Sequence, residues 1–95
     1  MHYTYFEDAE EPYRRWRDEH PHGWVLNCER SPRPSYLVLH RTSCSSMRDE
    51  PARGERWTKD YVKVCSIDRE SLRQWAERTV GGTPKECERC AVESP

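Results

Sequence analysis

The chain has 95 residues, enough for one small domain, and its net charge is only −1 although 35% of its residues are charged. No apolar run approaches the roughly 18 residues that a membrane-spanning helix needs. Met1 to Glu11 has neither the basic start nor the apolar stretch of a secretory signal, so a cytoplasmic protein with no membrane partner is expected. Leu, Ile, Val and Phe number 12 in all, a share that invites disorder, but four Trp and five Tyr argue for a folded domain with a thin aromatic core. So thin a core rarely holds a short chain alone, and a staple is expected.

The first predicted helix runs from about Glu11 to Glu19, with Pro12 in its first turn, Tyr13 and Trp16 on one face, and Pro21 forcing its end near His20. Trp24-Val25-Leu26-Asn27-Cys28 reads as a strand, Ser31-Pro32-Arg33-Pro34-Ser35 as a turn, and Tyr36-Leu37-Val38-Leu39-His40-Arg41 as a second strand, which together make a hairpin. Thr42 to Arg56 is polar and irregular. A third strand follows at Tyr61-Val62-Lys63-Val64-Cys65, and then a helix capped by Ser66 or Asp68. That helix reaches about Thr79, with Leu72, Trp75, Ala76 and Val80 facing the core, and Gly81-Gly82 ends it. The expected architecture is a single α+β domain over residues 1–95, ordered α-β-β-β-α. It has a three-stranded antiparallel sheet, helices on one sheet face, a zinc staple, and residues 1–10 as a loosely ordered extension.

Five cysteines, an odd number in a chain expected to be cytoplasmic, favour metal binding over a disulfide framework. Cys87-x-x-Cys90 is half of a zinc knuckle, because two thiolates three positions apart can hold one ion. His40-x-x-x-Cys44 offers the second pair, with Cys65 in reserve. The pairing assumes that the third strand runs antiparallel to the second and that the last helix returns the chain near Cys44; a parallel third strand would favour Cys65 over His40. Buried packing is the competing reading of Cys28 and Cys65, and a core or groove role that of His40. Too few residues follow Cys90 to form the helix that a redox-active CxxC requires.

Charge divides along the chain: residues 1–13 carry −4, residues 14–63 carry +4 and residues 64–95 carry −1. Residues 30–63 hold eight bases against four acids, a pattern compatible with a polyanion-binding face, although charge alone favours a solvated surface. Arg30, Arg33, Arg41, Arg48, Arg53, Arg56, Lys59 and Lys63 are the candidate phosphate contacts. Trp57, Tyr36, Tyr61 and Asn27 are the candidate base readers, through stacking or groove contact, with Asn27 and His40 able to share one sheet face. Trp16, Trp24 and Trp75 read as core. No Ser-His-Asp order, phosphate-cradling glycine loop or carboxylate pair is present, so no enzyme is expected; His40 with Cys44 as base and nucleophile is the weaker reading of residues that metal ligation explains.

The ordered set His20-Pro21, Gly23, Val25-Leu26-Asn27, Tyr36, Leu39-His40, Cys44, Trp57-Thr58, Lys63-Val64-Cys65 and Cys87-x-x-Cys90 resembles a family of small bacterial modules that bind DNA containing 5-methylcytosine. The likeness spans about Trp16 to Cys90 and is carried by short runs and single residues. It implies duplex DNA as partner and methylated cytosine as the recognised base, and the net charge of −1 departs from the basic balance of DNA binders. A protein-interaction adaptor is the alternative function.

Overall fold

Successive side chains of a strand point to opposite faces, and Val25-Leu26-Asn27-Cys28 places bulk on both, so this strand needs cover on each side. The computed structural model describes residues 3–44, 47 and 57–88. Among them the elements run β1 (Thr4–Phe6), α1 (Glu10–Glu19), β2 (Trp24–Glu29), β3 (Leu37–Arg41), β4 (Tyr61–Ser66), α2 (Arg69–Trp75) continuing into a π-helical turn (Ala76–Val80), and β5 (Lys85–Glu86). The sheet order is β1-β4-β2-β3-β5. All neighbours pair antiparallel except β3 and β5, which are parallel.

The α+β class holds, but the expected α-β-β-β-α order and three-stranded antiparallel sheet are corrected: the sheet is mixed and five-stranded, with β4 inserted beside β2 and parallel to β3. The two extra strands have three and two residues, too short for alternation to reveal them. The expectation of a loose N-terminal extension is corrected: Thr4, Tyr5 and Phe6 pair with Cys65, Val64 and Lys63. The expectation of both helices on one face is corrected as well. Tyr13 of α1 packs with Phe6, Val25, Met47, Trp57 and Cys65 on one face. Leu72, Trp75 and Ala76 pack with Leu26, Cys28, Leu37, Leu39, Val62 and Val64 on the other. A parallel return from β4 to β5 needs a crossover, and α2 is that crossover, so topology assigns it a face of its own.

Local chemistry fixes the element ends. Asp68 caps α2 by accepting from the Glu70 N–H at 3.2 Å and the Ser71 hydroxyl at 2.9 Å. Gly81 leaves the π turn at φ +84°, and a Cβ on Gly82 would come within 2.9 Å of both Leu37 Cδ1 and Pro34 Cα. The chain therefore passes close against the start of β3 only because Gly82 lacks a side chain.

At the other side of the molecule, the Glu10 carboxylate at the head of α1 accepts from the Trp57 N–H at 2.6 Å, the Thr58 N–H at 2.5 Å and the Thr58 hydroxyl at 2.5 Å. The Ala9 N–H in turn donates to Thr58 Oγ1 at 2.8 Å. Burial on its own would raise the Glu10 pKa, but these three donors outweigh it and hold the group below its ordinary value. A depressed carboxylate contributes stability above its unfolded pKa and loses it as pH falls through the folded one. Glu10→Gln should cost about 1–2 kcal/mol near neutral pH and flatten the acid limb of stability. Urea unfolding of both proteins between pH 3 and 7 measures this, and an equal acid slope in the two would contradict it.

Candidate metal centre and polar sheet face

The parallel register of β5 on β3 pairs Lys85 with Val38 and Glu86 with Leu39, and the Cys87 N–H donates to the Leu39 carbonyl at 3.0 Å. One further step in that register sets Cys87 beside His40. Cys44 is brought to the same place by the turn after β3, where its N–H donates to the Arg41 carbonyl at 3.0 Å and its carbonyl accepts from the Met47 N–H at 2.9 Å. Helix α1 pins this turn: the Tyr13 hydroxyl and Arg17 Nη1 both donate to the Met47 carbonyl, at 2.9 and 3.2 Å. The donor atoms of His40, Cys44 and Cys87 all lie within 4.8 Å of one another, so the group could hold a metal ion. Burial lowers the His40 pKa to about 4, with a further push from the Lys63 charge, which leaves the imidazole neutral and able to ligate.

Three of the four expected ligands are thus brought together, and Cys90 lies outside the described residues. The reason differs from the one expected. Strand β4 lies beyond β2 and runs parallel to β3, and Gly82 packs on Pro34 and Leu37 at the start of β3. Residues 81–86 then run along β3 to reach Cys44. Cys65 does not join the group, because its register partner Val25 stands between it and His40, which puts it about 10 Å away across two strand spacings. Cys65 and Cys28 are fully buried, as their packing reading anticipated.

The register also places Asn27 and His40 on one face, along with Lys63, the pairing partner of Asn27. Lys63 is 3% exposed, and its ammonium donates to Asn27 Oδ1 at 2.7 Å and to the Trp57 carbonyl at 2.6 Å. Asn27 Nδ2 donates onward to the Tyr36 hydroxyl at 3.3 Å, and the Tyr36 and Tyr61 rings meet at 5.5 Å. Lys63 is therefore an interior cation here and reaches no phosphate. Trp57, also 3% exposed, is packed against Tyr13 and is no stacking platform.

Among the remaining candidates, Arg30 makes a two-point ion pair with Asp8 at 2.9 and 2.5 Å and donates to the Lys59 carbonyl. Arg33 grips Glu29. Arg41 lies over the Trp24 ring at 4.8 Å, as does Arg69 at 5.5 Å. Lys59 is exposed, Tyr36 and Tyr61 are half-buried, and Arg48, Arg53 and Arg56 lie outside the described residues. Sequence reasoning missed the pairing of Trp24 with Arg41 and Arg69. It also missed the Glu10–Thr58 contact, for which an acid at the head of a helix was the only signal.

Burial pulls the Lys63 pKa down to about 8, partly opposed by the Cys65 and Cys28 thiols and the Glu10 carboxylate. A lysine with a depressed folded pKa binds fewer protons folded than unfolded between the two values, so stability rises with pH there. Above the ordinary thiol range the effect is opposed by Cys28, whose pKa burial pushes up to about 12, and by Cys65, pushed up likewise. Wild type should therefore gain ~1 kcal/mol relative to Lys63→Met between about pH 8 and 9. Denaturant titrations at the two pH values check it, and parallel pH slopes would contradict it.

No protein-family model, curated protein or solved structure matches this chain.

Proposed function

We propose that the chain is a non-catalytic, zinc-stapled module that binds duplex DNA, with 5-methylcytosine as the favoured base. The observation that carries the staple is the convergence of His40, Cys44 and Cys87 from two strands and a turn, within 4.8 Å. One imidazole and two thiols are soft donors suited to zinc, whose tetrahedral ligand atoms stand roughly 3.5–4 Å apart, so a small inward movement completes the shell. Cys90, three positions beyond Cys87, is the fourth ligand in this reading.

The DNA part is supported by the end of the sheet opposite the metal group. There Tyr36 and Tyr61 form a half-buried aromatic pair tied to Asn27, with Arg30, Arg33 and Lys59 around it. The cytosine methyl projects into the major groove, where an aromatic edge can pack on it. Since Trp57 is buried, the tyrosine pair takes over the role of base reader.

A protein-interaction adaptor is the second reading. Two observations favour it: Arg30 and Arg33 already hold carboxylates, and Tyr3, Tyr5 and Ile67 are 44%, 38% and 68% exposed beside the edge strand β1.

For the staple, about one zinc per chain is expected, with Cys87→Ser and His40→Ala losing it and Cys65→Ala keeping it. Structural zinc contributes on the order of 10 kcal/mol of apparent binding energy to small folds, so chelation should melt the domain. A metal-free preparation with unchanged melting temperature would overturn the staple.

For DNA, fluorescence anisotropy on matched methylated and unmethylated duplexes across a salt series should give a log–log slope of about −2 to −3 for two or three phosphate contacts. Burying one methyl is worth ~0.8 kcal/mol, about a fourfold preference, which Tyr61→Ala should erase. Lys59→Ala should make the slope shallower by about one and leave the preference intact. A slope near zero would favour the adaptor.

A further inference from the structure

The four described cysteines fall into two chemical classes. Cys28 and Cys65 are fully buried in the sheet, and burial raises both thiols, which makes them inert. Cys44 and Cys87 have their sulfurs within 4.8 Å of each other, beside His40. Cys44 is 2% exposed, whereas Cys87 is half-buried at the end of the outermost strand. Cys87 is therefore the more accessible residue of the two, with the Cys44 sulfur within 4.8 Å of its own.

We propose that Cys87 is an oxidative modification site: a small peroxide oxidises it, Cys44 resolves the product as a disulfide, and the metal is released. Only the release of the ion rests on the metal reading of this group; the disulfide step rests on the two sulfurs lying within 4.8 Å of each other. The Cys87 thiolate attacks one peroxide oxygen; the O–O bond breaks, giving a sulfenic acid and hydroxide. The Cys44 thiolate then attacks the Cys87 sulfur, the S–S bond forms and the S–O bond breaks, expelling a second hydroxide. The thiolate pair loses two electrons, the peroxide gains them, and two solvent protons turn both hydroxides into water. Cys44 and Cys87 would then no longer serve as donors to an ion held by this group.

The fold accommodates this closure. Bridging requires the sulfurs to approach to about 2.05 Å. The moving partner directly follows a two-residue strand paired on one side only, which is reached through Thr83 and Pro84. His40 and Cys44 belong to the body of the sheet and to the turn pinned by Tyr13 and Arg17, so Cys87 does the moving.

The test treats the purified full chain with hydrogen peroxide. It follows metal release with a chromogenic chelator and maps disulfides by non-reducing peptide mass spectrometry. About one equivalent of peroxide should release about one equivalent of metal, with Cys44 joined to Cys87, and dithiothreitol plus zinc should restore the starting state. Cys28→Ala should behave as wild type, and Cys87→Ser should form no disulfide to Cys44. Mapping on the wild type needs no variant to fold. Release with a Cys87–Cys90 bond instead, or no oxidation at excess peroxide, would overturn the proposal. A preparation that never held metal but still formed the Cys44–Cys87 bond would sink the metal reading while leaving the modification site standing.

Discussion

Burial of β2 on both faces is the constraint from which the rest of the structure follows. A chain with so few aliphatic residues cannot make both faces apolar, and it spends them on one: Leu26, Leu37, Leu39, Val62, Val64 and Leu72 all meet under α2. The other face receives Val25 and Cys65, but also His40, Asn27 and Lys63. Polar groups there must find partners inside the protein, because leaving them unpaired costs more than a bond returns. The Lys63–Asn27 contact at 2.7 Å, the Lys63–Trp57 carbonyl contact and the Asn27–Tyr36 contact answer that need in series. The His40–Cys44–Cys87 group lies on the same polar side.

Much of this was legible in the residues. Helix α1, the β2–β3 hairpin, β4 and the Asp68 cap of α2 follow from turn residues, periodicity and capping chemistry, which are local. The convergence of His40, Cys44 and Cys87 was also foreseen, though by a route the structure does not take. Sheet order is not local: β4 inserts beside β2 instead of β3, and no pattern within Tyr61–Ser66 distinguishes the two. Strands of two or three residues carry no period, so β1 and β5 stayed hidden, and β5 is the strand that delivers Cys87. The faces given to the two helices depend on the same topology.

Charge segregation along the sequence dissolves in three dimensions. The acidic start folds against the basic centre: Asp8 and Glu7 meet Arg30, and Glu10 takes backbone donors at Trp57 and Thr58. Asp8 does so from φ 51°, a left-handed conformation that aspartate tolerates better than most residues. Glu29 takes Arg33. Exposed pairs such as these contribute little to stability, because solvent and salt screen them. Their larger consequence is that the surface field around the hairpin is weaker than a count of arginines suggests. Any anion binding there must compete with carboxylates already in place.

Strand β3 joins the two ends of the sheet, with β5 beside it. Strand β3 carries His40 near one end and follows Tyr36 at the other. Strand β5 lies along β3 and is reached through Gly82, which touches Pro34 in the hairpin loop two residues before Tyr36. A two-residue strand has too few backbone bonds to hold its own register. Its position is set by the Gly82 contact at its entry, the Cys87 N–H bond to Leu39 at its exit, the Arg69–Glu86 ion pair, and the side chains that meet Cys87 beyond it. The His40, Cys44 and Cys87 group and the Tyr36–Tyr61 end are thus joined by one continuous run of packed chain along β3.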